Sequence, residues 1–158
     1  MAESNGAESQ FVYVTFIRTT PEKLWQALIE PQFTRQFWHN TVQECEWKPG
    51  ASWRLKTPDG RVADSGEVVE IEPGRKLVLT WLHHLHPAAN AEGYSRMTYE
   101  IEPKGETVKL TVTHTMEKPE SKLIKAVSGG WPMILSSLKT LLETGESLEA
   151  TRRWPEGM

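Results

Sequence analysis

The sequence predicts an α+β helix-grip fold, in which a curved antiparallel sheet of about seven strands wraps a long C-terminal helix. Three observations support this prediction. Residues 42–115 alternate between apolar and polar side chains in short runs, which is the period of half-buried strands. After Pro119, apolar residues instead recur at three- and four-residue steps to about Glu143, as they do on an amphipathic helix. Before residue 42 the chain holds one strand-like run and two short helical segments.

The first predicted elements are a strand over residues 11–17 and two short helices. The run FVYVTFI is rich in β-branched and aromatic residues, which favour strands. Thr20, Pro21 and Glu22 then form a helix start, because a Thr cap precedes a proline at the first helical position and an acidic residue follows. Pro31 ends this helix or opens the second short one.

Turn residues separate six further predicted strands. Pro-Gly, Asp-Gly and Lys-Gly pairs lie in the gaps, and each supplies a fixed φ or a left-handed position. Because most gaps are short, consecutive strands should form antiparallel hairpins. The exception is a longer loop over residues 84–93. The strands are predicted over residues 43–47, 52–57, 63–72, 76–83, 94–102 and 107–115.

The alternation assigns one face of the sheet to the core. In the last strand, threonines and a lysine alternate with a largely apolar set, as expected of an open antiparallel sheet with one buried face. The residues placed on the buried face are Val108, Leu110, Val112 and His114 in that strand, Ser95, Met97, Tyr99 and Ile101 in the strand before it, and Leu77, Leu79, Trp81 and His83 in the strand before that.

The long C-terminal helix should cover this buried face, because it carries the only other large apolar surface of the chain. Gly129, Gly130 and Pro132 interrupt the helical pattern, which predicts a bend or a close backbone approach there. Gly145 is a suitable C-terminal stop. A sheet that curls around one helix leaves an apolar cup at its open end, and such a cup is a typical small-molecule site.

Composition indicates one globular domain in the cytoplasm. The chain has 158 residues, a formal net charge of −3 and one cysteine, which argues against nucleic-acid binding, polybasic membrane binding and a disulfide framework. No apolar run approaches the ~20 residues of a membrane span, and the polar N-terminus has no apolar signal core. We expect a disordered lead-in over residues 1–10, a domain over residues 11–145 and a loosely packed tail over residues 146–158.

Several stretches, taken in order, are similar to one known superfamily. They are PEKLWQAL at 21–28, KPGASWR at 48–54, the hairpin segments at 66–73 and 76–81, the strand segments at 95–100 and 110–114, and GWPMILSSLK at 130–139. In order and spacing they resemble the START-like (SRPBCC, birch-pollen-allergen-like) superfamily, and within it the AHSA-type family, the homologues of the activator of heat-shock protein 90 ATPase. Ala51 departs from the pattern, where a second glycine is usual.

The resemblance implies the helix-grip fold more directly than it implies a function. Relatives with this fold bind lipids, hormones or polyketides, some cyclise polyketides, and others activate a chaperone, a role that would connect this chain to the stress response. A shared fold does not by itself transfer chemistry.

Candidate ligand-binding residues lie on the buried face and on the long helix. Trp53, Trp81, Tyr99 and Trp131 could form a flat apolar wall for a ring-bearing or acyl ligand, or they could simply pack the core. The full candidate set is Trp53, Trp81, His83, Ser95, Met97, Tyr99, Val112, His114, Trp131 and Leu135.

His114 has two interpretations. It could hydrogen-bond a ligand or act in acid–base chemistry, because its ordinary pKa lies near neutrality. It could equally be a satisfied core histidine bonded to Ser95, which stands at the same level of the neighbouring strand.

We expect no metal site and no other cofactor. His83, His84 and His86 are closely spaced, but no cysteine or carboxylate stands nearby at ligand spacing and Pro87 ends the segment. Cys45 stands between two glutamates, a setting that would raise the pKa of its thiol and weaken it as a nucleophile.

Three functions remain open at this point. The first is a carrier or sensor that binds a hydrophobic small molecule (a lipid, a sterol or an aromatic, polyketide-like compound) in the cup. The second is a protein-interaction module that binds a chaperone or another protein, although the predicted outer face is mainly polar. The third is a cyclase or hydrolase using His114, Tyr99 and Ser95, but the cup offers few convergent polar groups, so we lean away from an enzyme. A homodimer is also open.

Overall fold

The structure, a computed structural model, describes residues 8–157 and has the predicted helix-grip architecture. The strands are β1 (Ser9–Ile17), β2 (Val42–Cys45), β3 (Ser52–Lys56), β4 (Val62–Glu72), β5 (Lys76–His83), β6 (Ser95–Lys104) and β7 (Thr107–Met116). The α-helices are α1 (Pro21–Ile29), α2 (Pro31–Phe37), α3 (Pro87–Asn90) and α4 (Lys122–Thr144), and a short 3₁₀ helix covers Glu149–Thr151.

All these strands form one antiparallel sheet in the order β1-β7-β6-β5-β4-β3-β2. Strands β2 to β7 follow each other as a meander, because short turns join most consecutive strands. Strand β1 closes the order by pairing with β7, so that Phe11 stands opposite His114. The two edge strands are therefore β1 and β2.

The predicted buried face of the sheet is confirmed. The apolar positions of β7 and β6 alternate strictly with more exposed ones, and α4 covers them with Trp131, Leu135 and Leu138 in the same hydrophobic core. Helices α1 and α2 add Leu24, Leu28 and a second group of apolar side chains to that core. The core thus lies between the sheet and the three longer helices.

A bulge in β4 distorts the sheet beside the core. The register of β4 against β5 shifts between Val68 and Glu70, and such bulges bend a strand and increase its twist. The two strands approach so closely here that a Cβ atom on Gly66 would lie 1.8 Å from the carbonyl oxygen of Thr80. Only glycine fits this position without moving backbone atoms.

The N-terminal boundary of the domain needs correction. Strand β1 begins at Ser9 and not at residue 11, so the predicted lead-in over residues 1–10 extends two residues too far. The Ser9 hydroxyl donates to the carbonyl oxygen of Lys118 and accepts from the backbone N–H of Ser121. Those polar bonds fix the start of the strand, and a reading of apolar periodicity cannot detect them. Residues 1–7 lie outside the described residues.

The C-terminal segment, predicted as a loosely packed tail over residues 146–158, is anchored to the domain at several points within residues 146–157. Thr151 is fully buried, and its hydroxyl lies 2.7 Å from the hydroxyl of Ser137 on α4. The backbone N–H of His39, just after α2, donates to the carbonyl oxygen of Thr151. Short polar side chains hold this segment in place, and a hydrophobic pattern does not reveal such contacts. Met158 lies outside the described residues.

Two further elements differ from expectation. Helix α4 is not interrupted at Gly129, Gly130 or Pro132, and no neighbouring atom lies within 4 Å of a Cβ built on either glycine, so neither serves a close backbone approach. The loop predicted over residues 84–93 contains the short helix α3.

Candidate ligand-binding site

Four tryptophans from four parts of the chain meet in the core, and we call Trp38, Trp53, Trp81 and Trp131 the tryptophan cluster. Trp81 on β5 is at its centre: its ring centroid lies 4.6 Å from that of Trp53, 5.8 Å from that of Trp131 and 6.2 Å from that of Trp38. Such aromatic pairs contribute roughly 0.5–1.5 kcal/mol beyond the area they bury. The cluster therefore ties the end of α2, strands β3 and β5, and helix α4 together.

Three indole N–H groups of the cluster have acceptors inside the core. A buried N–H without an acceptor would cost about 1–3 kcal/mol, so each acceptor also fixes the orientation of its ring. The bonds run from Trp53 Nε1 to Gln43 Oε1 at 2.9 Å, from Trp81 Nε1 to Asp64 Oδ1 at 2.9 Å and from Trp131 Nε1 to His114 Nδ1 at 3.2 Å.

His114 is a satisfied core histidine bonded to Ser95. Because its Nδ1 accepts from Trp131, the ring hydrogen is on Nε2, which donates to the Ser95 hydroxyl at 2.8 Å. That hydroxyl donates in turn to the carbonyl oxygen of Trp81 at 3.0 Å. Burial lowers the pKa of His114 to about 3, so the ring is neutral at physiological pH.

A pocket of about 520 Å³ opens on one side of the tryptophan cluster. The N-terminal half of α4, the end of α2, the ends of β4 and β5 and the C-terminal segment surround it. Its wall is mostly apolar, with Trp38, Trp81 and Trp131 from the cluster and Trp154 from the C-terminal segment. Asp64 belongs to its polar part.

A second polar pair stands at this wall. His83 Nδ1 lies 2.7 Å from Asp64 Oδ1, the same oxygen that accepts from the Trp81 indole. Asp64 and His83 are cross-strand partners in the β4–β5 pair, so their side chains leave the sheet on the same face. Asp64 is buried and the His83 side chain is 20% exposed.

The structure separates the predicted ligand-binding residues into two groups. Trp81, His83 and Trp131 border the pocket. The others are each at most 5% exposed and do not border it. The cup is therefore filled to a large extent by its own side chains, and those that fill it are Trp53, Ser95, Met97, Tyr99, Val112, His114 and Leu135.

The sequence reasoning missed several residues of the pocket wall. Trp38 lies at the end of the second predicted short helix, but the sequence pattern does not show that its side chain faces the cup. Asp64 lies in a predicted strand. An acidic residue at a core-facing position is a useful signal, because buried carboxylates need partners. Trp154 lay in the segment predicted to be a tail, so only the packing of that segment reveals it.

The metal expectation concerned His83, His84 and His86, and the thiol expectation concerned Cys45. Within residues 8–157, no three His, Cys, Asp or Glu side chains come together in a way that could hold a metal ion. Burial raises the pKa of the Cys45 thiol, and the charge of Glu46 adds to the effect.

The outer face of β1 is more apolar than the sequence suggested. Val12, Val14 and Phe16 alternate along this edge strand and are each 45–48% exposed. They form a stripe on the solvent side of the sheet, where the outer faces of β6 and β7 carry mainly polar residues. We call these three residues the β1 stripe.

The chain is similar to one family and to several solved structures. The family described as Activator of Hsp90 ATPase homolog 1-like protein matches residues 18–143. Protein MLL2253 from Mesorhizobium loti is 26% identical, with a TM-score of 0.72, over 85% of this chain and 97% of that one. No curated protein matches. No helix within residues 8–157 is both long and apolar enough to cross a membrane.

Two more distant structures share the fold. The Aha1 dimer from Colwellia psychrerythraea has a TM-score of 0.70 at 18% identity, over 88% of this chain and 99% of that one. PFC0360w, an HSP90 activator from Plasmodium falciparum, has a TM-score of 0.68 at 23% identity, over 85% and 96% of the two chains. Together with the M. loti protein they confirm the helix-grip fold.

The burial of His114 predicts a pH-dependent stability. Because its folded pKa is about 3 and the unfolded value is about 6.5, unfolding takes up a proton between these values. Stability is therefore present in full above pH ~6.5 and is lost as the pH falls, with a slope of up to ~1.4 kcal/mol per pH unit. Urea unfolding between pH 7 and pH 5 should show this slope, and His114→Gln should remove it.

The exposed His84 provides the control, because His84→Gln alters a histidine outside the core. The stability of the His84→Gln variant should depend on pH with the same slope as that of the unmodified protein. Parallel curves for the His114→Gln variant and the unmodified protein would contradict the buried, neutral state of His114.

Proposed function

The chain belongs to the family of Activator of Hsp90 ATPase homolog 1-like proteins, and on that premise we propose that it is a carrier or sensor of a hydrophobic small molecule. The family and fold support ligand binding in general, and the class of ligand is the proposal. The observation that carries it is the pocket of about 520 Å³ whose wall contains the indoles of Trp38, Trp81 and Trp131. A cytoplasmic location remains a prediction.

The size and wall of the pocket favour a flat, ring-bearing ligand. Small-molecule sites typically enclose ~300–1,000 Å³ and combine apolar walls with a few polar groups. Indole rings offer broad planar surfaces, so an aromatic or sterol-like ring system gains more contact with them than a flexible chain does. Each Å² of apolar surface removed from water contributes roughly 25 cal/mol. Aromatic, polyketide-like compounds and sterols therefore come before acyl lipids as candidates.

Contacts within the protein hold the tryptophans of the pocket wall in place. Trp81 and Trp131 pack on each other, and both donate their indole N–H groups to buried acceptors. A ligand that binds there does not have to immobilise these side chains, which removes a cost of about 0.5–1.5 kcal/mol for each.

Binding without turnover agrees with the position of the candidate acid–base residues. Ser95, Tyr99 and His114 do not border the pocket. The ring nitrogens of His114 are both bonded within the core, and burial raises the pKa of Tyr99 well above its usual range. These residues support the core, and the cyclase or hydrolase that would use them has little support.

Protein interaction is the second candidate function, and the β1 stripe favours it. Exposed apolar residues that form a continuous patch are typical of interaction surfaces. A similar chain from C. psychrerythraea is described as a dimer, which supports a second copy of this chain as the occupant of the stripe. The similarity to an HSP90 activator from P. falciparum supports a chaperone as the alternative partner.

Gly130 allows the pocket to be filled without removing any core side chain. It borders the pocket, and a Cβ atom there has no neighbour within 4 Å. Gly130→Leu should therefore occupy the pocket and weaken the binding of 1-aminoanthracene, a flat apolar fluorescent probe, at least about tenfold, which corresponds to roughly 1.4 kcal/mol. Fluorescence titration gives the dissociation constants.

Gly129→Leu is the matched control, because the neighbouring glycine lies in the same helix, has the same free space and does not border the pocket. Both variants replace a helical glycine and should keep or slightly raise stability. If the two variants bind the probe equally well, the pocket is not the binding site.

A homodimer through the β1 stripe should be sensitive to a substitution at one exposed valine and insensitive to the same substitution at another. Val14→Lys places a charge in the β1 stripe and should convert a dimer to a monomer in sedimentation velocity, because the charge would be buried without a partner. Val69→Lys, at a valine of β4 that is 42% exposed, should leave the dimer intact. A monomeric unmodified protein, or a Val14→Lys variant that remains dimeric, would contradict a dimer through β1.

A further inference from the structure

His83 differs from the other histidines of the pocket in having a buried carboxylate behind it. Its Nδ1 lies 2.7 Å from Asp64 Oδ1, and Asp64 itself is 6% exposed. Because the Asp64 oxygen also accepts from the Trp81 indole at 2.9 Å, the carboxylate acts as an acceptor towards both neighbours. The hydrogen of the neutral His83 ring is therefore on Nδ1, and the lone pair is on Nε2.

The remaining titratable groups on the pocket wall have different partners. Among the described residues that border the pocket, these are His39 and His86, and Asp64 is the only carboxylate. His39 Nδ1 bonds to the carbonyl oxygen of Arg153 at 3.1 Å. His86 Nδ1 accepts from the backbone N–H of Ala89 at 3.4 Å. Among residues 8–157, neither ring is paired with a carboxylate that could stabilise a positive charge on it.

A histidine held by a carboxylate at one nitrogen is prepared to take a proton at the other. The carboxylate fixes the tautomer and the ring orientation, and it stabilises the imidazolium that forms when Nε2 is protonated. His83 presents this arrangement at the wall of a mostly apolar pocket that the ring of Trp81 also lines. A ligand that fits both features has a flat ring and an acidic hydroxyl group.

We propose that the pocket binds phenols or enols and that His83 Nε2 accepts the proton of their hydroxyl group. This inference rests on the proposed small-molecule function and names its ligand class. In the bound state the O–H bond of the ligand breaks, the N–H bond at Nε2 forms, and the electron pair stays on the ligand oxygen. The imidazolium lies between this oxyanion and the Asp64 carboxylate. The transfer is reversible and needs no other reactant.

A pair of probes separates this proton transfer from simple apolar binding. The compound 4-nitrophenol has an acidic hydroxyl and absorbs visible light when it ionises, whereas 4-nitroanisole is its methyl ether and has no proton to give. The protein should bind 4-nitrophenol at least about tenfold more tightly than 4-nitroanisole, because a charge-assisted hydrogen bond contributes roughly 1.5–3 kcal/mol. The bound phenol should also be ionised at a lower pH than the free compound.

Variants assign the effect to the two residues. His83→Phe keeps a flat ring and removes Nε2, so the affinity ratio of the two probes should fall to about one while 4-nitroanisole still binds. His83→Gln serves the same purpose if the phenylalanine variant does not fold. Asp64→Asn should lower the ratio by removing the charge behind His83. His84→Gln, at an exposed histidine that does not border the pocket, should leave the ratio unchanged.

The outcomes distinguish this inference from the function on which it rests. If neither 4-nitroanisole nor 1-aminoanthracene binds, the proposed small-molecule function fails. If both probes of the pair bind with equal affinity, or if the ratio survives in the His83→Phe and His83→Gln variants, the pocket is apolar but His83 is not the proton acceptor.

Discussion

Burying several indole rings in one core requires an acceptor for each buried N–H group, and this requirement links the sheet to the helices. Trp53, Trp81 and Trp131 use side chains on three different strands: Gln43 on β2, Asp64 on β4 and His114 on β7. A slip of one residue in any of these strands would turn its acceptor to the other face of the sheet. The register of the sheet and the orientation of the rings therefore depend on each other.

The bulge in β4 creates the polar end of the pocket. It shifts the register by one residue between Val68 and Glu70, so that Asp64 stands opposite His83 and not opposite His84. Asp64 can then serve two groups at once, the indole of Trp81 and the ring of His83. One irregularity in a strand thus supplies both an acceptor for the core and a carboxylate for the pocket histidine. The close contact of β4 and β5 at Gly66 lies two residues before Val68 on the same strand.

The pocket remains open because its wall cannot collapse without breaking these bonds. Trp81 and Trp131 would have to rotate to fill it, and each rotation would leave a buried N–H without an acceptor. The C-terminal segment completes the wall with Trp154 and is held by the buried Thr151. Residues 144–157, which supply this side of the pocket, lie beyond the part of the chain that the family matches.

Regular patterns made the fold predictable, and irregular contacts limited the prediction of the site. The strict alternation in β7 and the apolar repeat of α4 gave the architecture and the buried face. Trp81 and Trp131 could be assigned to the cup because they follow these periods. The sequence could not place Asp64 beside His83, because the bulge that brings them opposite each other leaves no mark in the apolar pattern of the strand. The segment that carries Trp154 is held partly by the hydrogen bond between Ser137 and Thr151, and such a contact follows no sequence period.

The account depends on three buried indole N–H groups with permanent acceptors, and hydrogen exchange measured by NMR on nitrogen-15-labelled protein tests this most directly. The indole N–H groups of Trp53, Trp81 and Trp131 should exchange slowly, on the time scale of global unfolding, while that of the half-buried Trp47 exchanges fast. Saturating 1-aminoanthracene should shift the resonances of Trp81 and Trp131, which border the pocket. Fast exchange at all three buried indoles would contradict the ordered cluster, and with it the preformed pocket wall.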